Sequence, residues 1–149
     1  MKIYVAADHA GFALKEEIKR YLLGRDVSVQ DFGATSLDPD DDYPDFVIPL
    51  VRKVATEKES RGIILGGSGQ GEAIAANKIR GVRAAVYYGG GSMDIVRLSR
   101  QHNDANVLCL GARFITKEEA IYIVTLWLET EFDGGRHERR LKKIEAIER

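Results

Sequence analysis

The run Gly66-Gly67-Ser68-Gly69-Gln70-Gly71-Glu72 constrains this chain more than any other stretch. It follows the apolar segment Gly62-Ile63-Ile64-Leu65 and precedes the alanine-rich Ala73-Ile74-Ala75-Ala76-Asn77-Lys78. An apolar, β-branched run that gives way to glycines and then to strong helix formers reads as a strand, a tight turn and a helix start. Glycines let backbone N–H groups approach a ligand without interference from a Cβ, and the helix start adds partial positive charge. The turn therefore suits an anion or a developing oxyanion; the alternative is a tight β-α turn that binds nothing. A mononucleotide P-loop needs Lys-Ser/Thr after its last glycine, where Glu72 and Ala73 stand. The dinucleotide fingerprint needs a different glycine spacing, on the first strand of its unit.

Around this run, strands and helices alternate. Lys2 to Ala7 is an apolar strand ending in Asp8-His9-Ala10-Gly11, and Phe12 to Leu23 has helical apolar spacing closed by Gly24. Val27 to Phe32 alternates as a second strand. Its outlet, Gly33 to Pro44, is a long loop carrying Asp38, Asp40, Asp41 and Asp42. No EF-hand spacing is present there, so the aspartates read as a solvated loop. A helix follows from Phe46 to Thr56, then the central strand, and a helix to about Ile79. Val82 to Tyr87 and Asn106 to Leu110 are strands four and five, separated by Gly89-Gly90-Gly91 and a helix from Met93 to Gln101. Thr116-Lys117-Glu118-Glu119 has the form of a capping box opening a helix to about Glu131.

This alternation predicts an α/β fold: a Rossmann-like three-layer sandwich with a five-stranded parallel sheet, forming a single domain over residues 1–149. Ligands collect outside the carboxyl ends of such strands. Asp8, His9 and the glycine turn are expected to converge there, with Tyr43 in reach and His102 read as a turn histidine of the same sheet edge. After Asp133-Gly134-Gly135, an extra C-terminal helix spans 134–149. Its stripe of Leu141, Ile144 and Ile147 predicts packing on a second copy of the chain, that is a homodimer, or else back on the same subunit.

With 22 basic and 23 acidic residues the formal net charge is −1, which offers no general attraction to nucleic acid or anionic membrane. No stretch reaches the length of a membrane span. The N-terminus enters a strand rather than a signal peptide, so a cytoplasmic location is expected. The single cysteine, Cys109, lies in an apolar run and reads as buried packing. Local charge is more telling. Arg136, Arg139 and Arg140 sit at or beside the first turn of the last helix, where the dipole disfavours cations. Either this is a solvated charge run, or Arg136 and Arg140, four apart on one face, grip a phosphate. The preceding glycines favour the phosphate.

A carboxylate beside an oxyanion turn, two turn histidines and two phosphate-grade arginines suit proton transfer next to the carbonyl of a phosphorylated sugar. At this point the chain resembles the type B ribose-5-phosphate isomerases, a family that also includes galactose-6-phosphate isomerase subunits. The resemblance is carried by Asp8-His9-Ala10-Gly11, Asp42-Tyr43-Pro44-Asp45-Phe46, Gly67-Ser68-Gly69-Gln70-Gly71, Ala75-Ala76-Asn77-Lys78, His102-Asn103-Asp104-Ala105-Asn106 and Gly134-Gly135-Arg136-His137.

The resemblance implies roles. Glu72 is the base moving a proton between C1 and C2, as in the family branch that uses a glutamate; the other branch has a cysteine at the position of Gly66. Backbone amides of Gly67, Ser68, Gly69, Gln70 and Gly71 hold the enediolate oxygen. His102 opens the furanose ring, aided by Asp8, and Asn103 contacts the sugar. His9, Arg113, Arg136 and Arg140 surround the substrate, mainly at its phosphate. His102 and the C-terminal arginines are expected from a partner subunit, in a homodimer or a tetramer of paired dimers with shared sites. No metal or organic cofactor is implied. His137 sits in one of these motifs, with a merely exposed side chain as the alternative, and is left outside the site. The Tyr87-Tyr88-Gly89-Gly90-Gly91 connection is longer than the family's usual one, which leaves galactose 6-phosphate, allose 6-phosphate or a tetrose phosphate as alternative substrates. A non-catalytic phosphate- or nucleotide-binding module is the alternative of a different class.

Overall fold

The computed structural model describes residues 1–148. The last helix, expected over 134–149, ends at Glu145, and Arg149 lies outside the described residues. Five strands alternate with helices: β1 (Lys2–Ala7), α1 (Phe12–Leu23), β2 (Ser28–Asp31), α2 (Pro44–Thr56), β3 (Ser60–Gly66), α3 (Gln70–Ala76), β4 (Ala84–Tyr87), α4 (Asp94–Gln101), β5 (Val107–Gly111), α5 (Lys117–Glu129) and α6 (Arg136–Glu145). All strand pairs are parallel, in the order β2-β1-β3-β5-β4. The three central strands are buried on both faces, which is why their sequences are near-continuous apolar runs. Ile3, Val5, Ile63, Leu65, Leu108 and Leu110 pack against α1, α4 and α5; Tyr4, Ala6, Ile64, Val107 and Cys109 pack against α2 and α3. This is the expected three-layer sandwich.

Register sets the site. Ala7 pairs with Leu65, and Gly66 with Gly111, so the residues that leave β1, β3 and β5 emerge side by side. The ladder runs on past the strands. The N–H groups of Ala112 and Arg113 donate to the carbonyl oxygens of Gly66 and Gly67 at 2.8 and 3.1 Å. The loop after β2 is tied to the same edge, its Ala34 N–H donating to Ala7 O at 2.6 Å.

Two differences from expectation bear on the site. α3 stops at Ala76 instead of near Ile79, because Asn77 turns its side-chain amide across to β4: Asn77 Nδ2 donates to Ala84 O and Ala84 N–H donates to Asn77 Oδ1, at 3.0 and 2.9 Å. The apolar stripe of α6 divides. Leu141 is buried within the chain, whereas Ile144 and Ile147 are exposed. Among the described residues no helix is long and apolar enough to cross a membrane.

Candidate active site

Glu72 sits in the first turn of α3, only 4% exposed. The space for its carboxylate exists because residue 66 is glycine: a Cβ there would lie 1.8 Å from Glu72 Oε1 and 2.6 Å from Oε2. Burial pushes the Glu72 carboxyl above the usual carboxylate range and the nearby charge of Asp8 adds to the effect, outweighing a hydrogen bond from its own backbone N–H. Gly69 is needed for its backbone, with φ +77° at the start of α3 and no room for a Cβ against Leu110 and Val86. Cys109 lies beneath this turn, fully buried. Burial first, and then the Glu72 carboxylate, drive its thiol up, so it stays protonated and packs as expected.

The rest of the carboxyl edge gathers around this turn. Asp8 Oδ1 accepts the backbone N–H groups of Ala10 and Gly11 at 3.0 and 3.3 Å, which fixes the β1-α1 turn. The Arg113 guanidinium lies over Gly67, its Nη1 3.1 Å from where a Cβ would stand. Tyr43 reaches the site as expected, its ring lying over Gly71. Ser68 Oγ accepts the N–H of Gln70 at 3.4 Å.

Sequence reasoning missed Asp41. It belongs to the loop read as solvated, yet its side chain is only 8% exposed. Its Oδ1 takes both the backbone N–H of His9, at 3.0 Å, and the ring Nδ1–H, at 2.7 Å. The only advance signal was one aspartate among four.

A second correction is larger. His9 and His102 do not share a sheet edge. His102 caps the carboxyl end of α4 and precedes β5, so it stands at the amino edge of the sheet, opposite Asp8 and Glu72. Asn103 is beside it, its carbonyl oxygen accepting from Arg83 Nε at 3.1 Å. The Asp133 N–H donates to Gln101 O at 3.0 Å and brings the start of α6, with exposed Arg136 and Arg140, to the same end. His137, left outside the site in the sequence reading, is buried and stacks on His102, with ring centroids 4.2 Å apart and planes 9° from parallel. Burial holds the His137 imidazole below its ordinary range, and the charges of His102, Arg136 and Arg140 lower it further.

Among the described residues each edge has one group of metal-capable side chains with donor atoms within 4.8 Å: His102, Asp133 and His137, and Asp8, His9 and Asp41. The first holds its two imidazoles face to face, whereas rings ligating one ion must aim their nitrogens at it along diverging in-plane directions. In the second, the Asp41 carboxylate already takes the ring N–H of His9.

The site's sequence and fold both have relatives. The Ribose/Galactose Isomerase family model matches residues 3–144. The chain belongs to the ribose/galactose isomerase family. A probable ribose-5-phosphate isomerase B of Mycoplasma pneumoniae is 44% identical, the match covering 99% of this chain and 95% of the relative. The ribose-5-phosphate isomerase B of Mycolicibacterium paratuberculosis is 41% identical over 100% of this chain and 92% of its own. The crystal structure of ribose-5-phosphate isomerase B from Mycoplasma genitalium with bound ribulose-5-phosphate superposes with a TM-score of 0.94 at 42% identity, covering 99% of this chain and 95% of that one. As a ribose/galactose isomerase the chain is an enzyme whose sheet edges both carry candidate site residues.

Proposed function

We propose that this isomerase interconverts D-ribose 5-phosphate and D-ribulose 5-phosphate through an enediolate, with Glu72 as the proton-transfer base. One observation carries the reading: a buried carboxylate with a raised pKa fills the gap left by Gly66, directly beside the amides of the 67–71 turn. A carboxyl tuned toward neutrality can take a carbon-bound proton and return it to the adjacent carbon. N–H groups of Gly67 to Gly71 stabilise the oxyanion that forms meanwhile. His9 and Arg113 grip the phosphate.

The ring opener His102, with Asn103, Arg136 and Arg140, stands at the far edge of the same chain. No single copy can close these residues around one substrate together with Glu72. The reading therefore includes a homodimer in which the amino edge of one copy meets the carboxyl edge of the other. The names of the relatives, and the ribulose 5-phosphate in one of them, support the choice of a five-carbon substrate.

The test is incubation with a panel of aldose phosphates in deuterium oxide. The expected result is ribulose 5-phosphate carrying solvent deuterium, and loss of turnover by at least ~100-fold in Glu72→Gln. Near-normal turnover in folded Glu72→Gln overturns the assignment of the base, and conversion of a six- or four-carbon phosphate in preference overturns the substrate.

A further inference from the structure

Asp41 is used by none of the chemistry above, yet its burial demands an account. Its side chain is nearly closed off, and while Oδ1 is bonded to His9, Oδ2 is buried without a partner among the described residues. A carboxylate in that state is costly unless a cation lies against it. Among the described residues the only cation it touches is the His9 ring, 2.7 Å away. A carboxylate oxygen can only accept, so the proton on Nδ1 belongs to His9, and Nε2 is left free to donate when the ring is charged.

We infer that Asp41 is a positioning residue that holds the His9 imidazole as an oriented cation for the phosphate of the substrate. This rests on the phosphate role of His9 given above. Charged groups face His9 from three segments: Asp41 from the β2-α2 loop, Asp8 from its own turn and Arg113 from beyond β5. The hydrogen bond from Asp41 is the largest influence raising the His9 pKa; burial and Arg113 oppose it, and Asp8 assists. The imidazolium is thus present below the ordinary imidazole range in any case, and Asp41 extends it upward in pH. The effect of Asp41 vanishes in acid and is felt as pH rises through the ordinary range.

Asp41→Asn keeps an oxygen to accept the Nδ1–H and removes only the charge. With inorganic phosphate as the probe, calorimetry at a pH just above the ordinary imidazole range should give about tenfold weaker binding, as a charge-assisted hydrogen bond becomes a neutral one. At about pH 5.5, where the ring is charged without help, variant and wild type should bind alike. The His9 titration midpoint, followed by NMR, should fall in Asp41→Asn. In a His9→Asn background, Asp41→Asn should cause no further loss. Equal weakening at both pH values, an unmoved His9 midpoint, or additive losses in the double variant would each overturn the proposal. If the phosphate results hold in a protein that isomerises no aldose phosphate, the positioning role of Asp41 stands and the isomerase reading falls.

Discussion

At position 66 the missing side chain matters as much as the carboxylate that occupies its place. Any Cβ there collides with Glu72 Oε1, and the carboxylate cannot retreat far, since it is 4% exposed against a packed helix and sheet. Gly66→Ala should therefore leave the fold intact but displace the base by about 1 Å, enough to lower kcat about 100-fold. Steady-state kinetics beside a thermal melt check this: the expected signature is a large fall in kcat with a melting point close to wild type. The glycine run announced its turn in the sequence, but which glycine makes room for which side chain depends on a contact six residues away through space.

Among the elements, the loop between β2 and α2 decides whether Asp41 and Tyr43 reach the site, and a lysine anchors it. Lys15 of α1 is fully buried; its Nζ donates to Asp31 Oδ1 and Oδ2, each at 2.8 Å, and to Ala34 O at 2.6 Å. Burial pushes the Asp31 carboxyl up, but hydrogen bonds from Lys15, Lys19 and the Gly33 N–H prevail and hold it below the ordinary range. Lys15→Met should cost about 1–3 kcal/mol, the toll of unpaired buried polar groups, because Lys19 still pairs with Asp31 at 2.7 Å. Urea denaturation should show a lower midpoint with an unchanged slope. In the sequence Lys15 is an unremarkable helix lysine. Its inward face emerges only when α1 docks on β1 and β2 and an aspartate waits at the end of the second strand.

At the scale of the whole molecule, the two edges of one sheet hold two halves of the proposed site. If Glu72 acts with His102 of another copy, mixing two inactive variants restores function. Subunit exchange between Glu72→Gln and His102→Asn should recover about a quarter of wild-type activity, since half the dimers are mixed and one of their two sites is intact. Measuring activity after mixing and reassembly checks this; no recovery despite demonstrated exchange would count against shared sites. The exposed Ile144, on the helix whose Leu141 is buried in the chain, and Ile147 just beyond its end offer apolar surface for such an assembly.

The sequence by itself determined the parallel three-layer sandwich, because its apolar runs, helical spacings and glycine turns are local signals that all agree. It also determined the carboxyl-edge cluster of Asp8, His9, the 67–71 turn and Glu72, since each follows the end of a strand and the direction of the strands fixes where those ends lie. Only the tertiary structure decided that His102 faces away from Glu72 and stacks on His137, and that Asp41 folds inward onto His9. Those pairings join residues 35 and 32 positions apart, and chain periodicity carries no information about which side chains meet once helices and loops have packed.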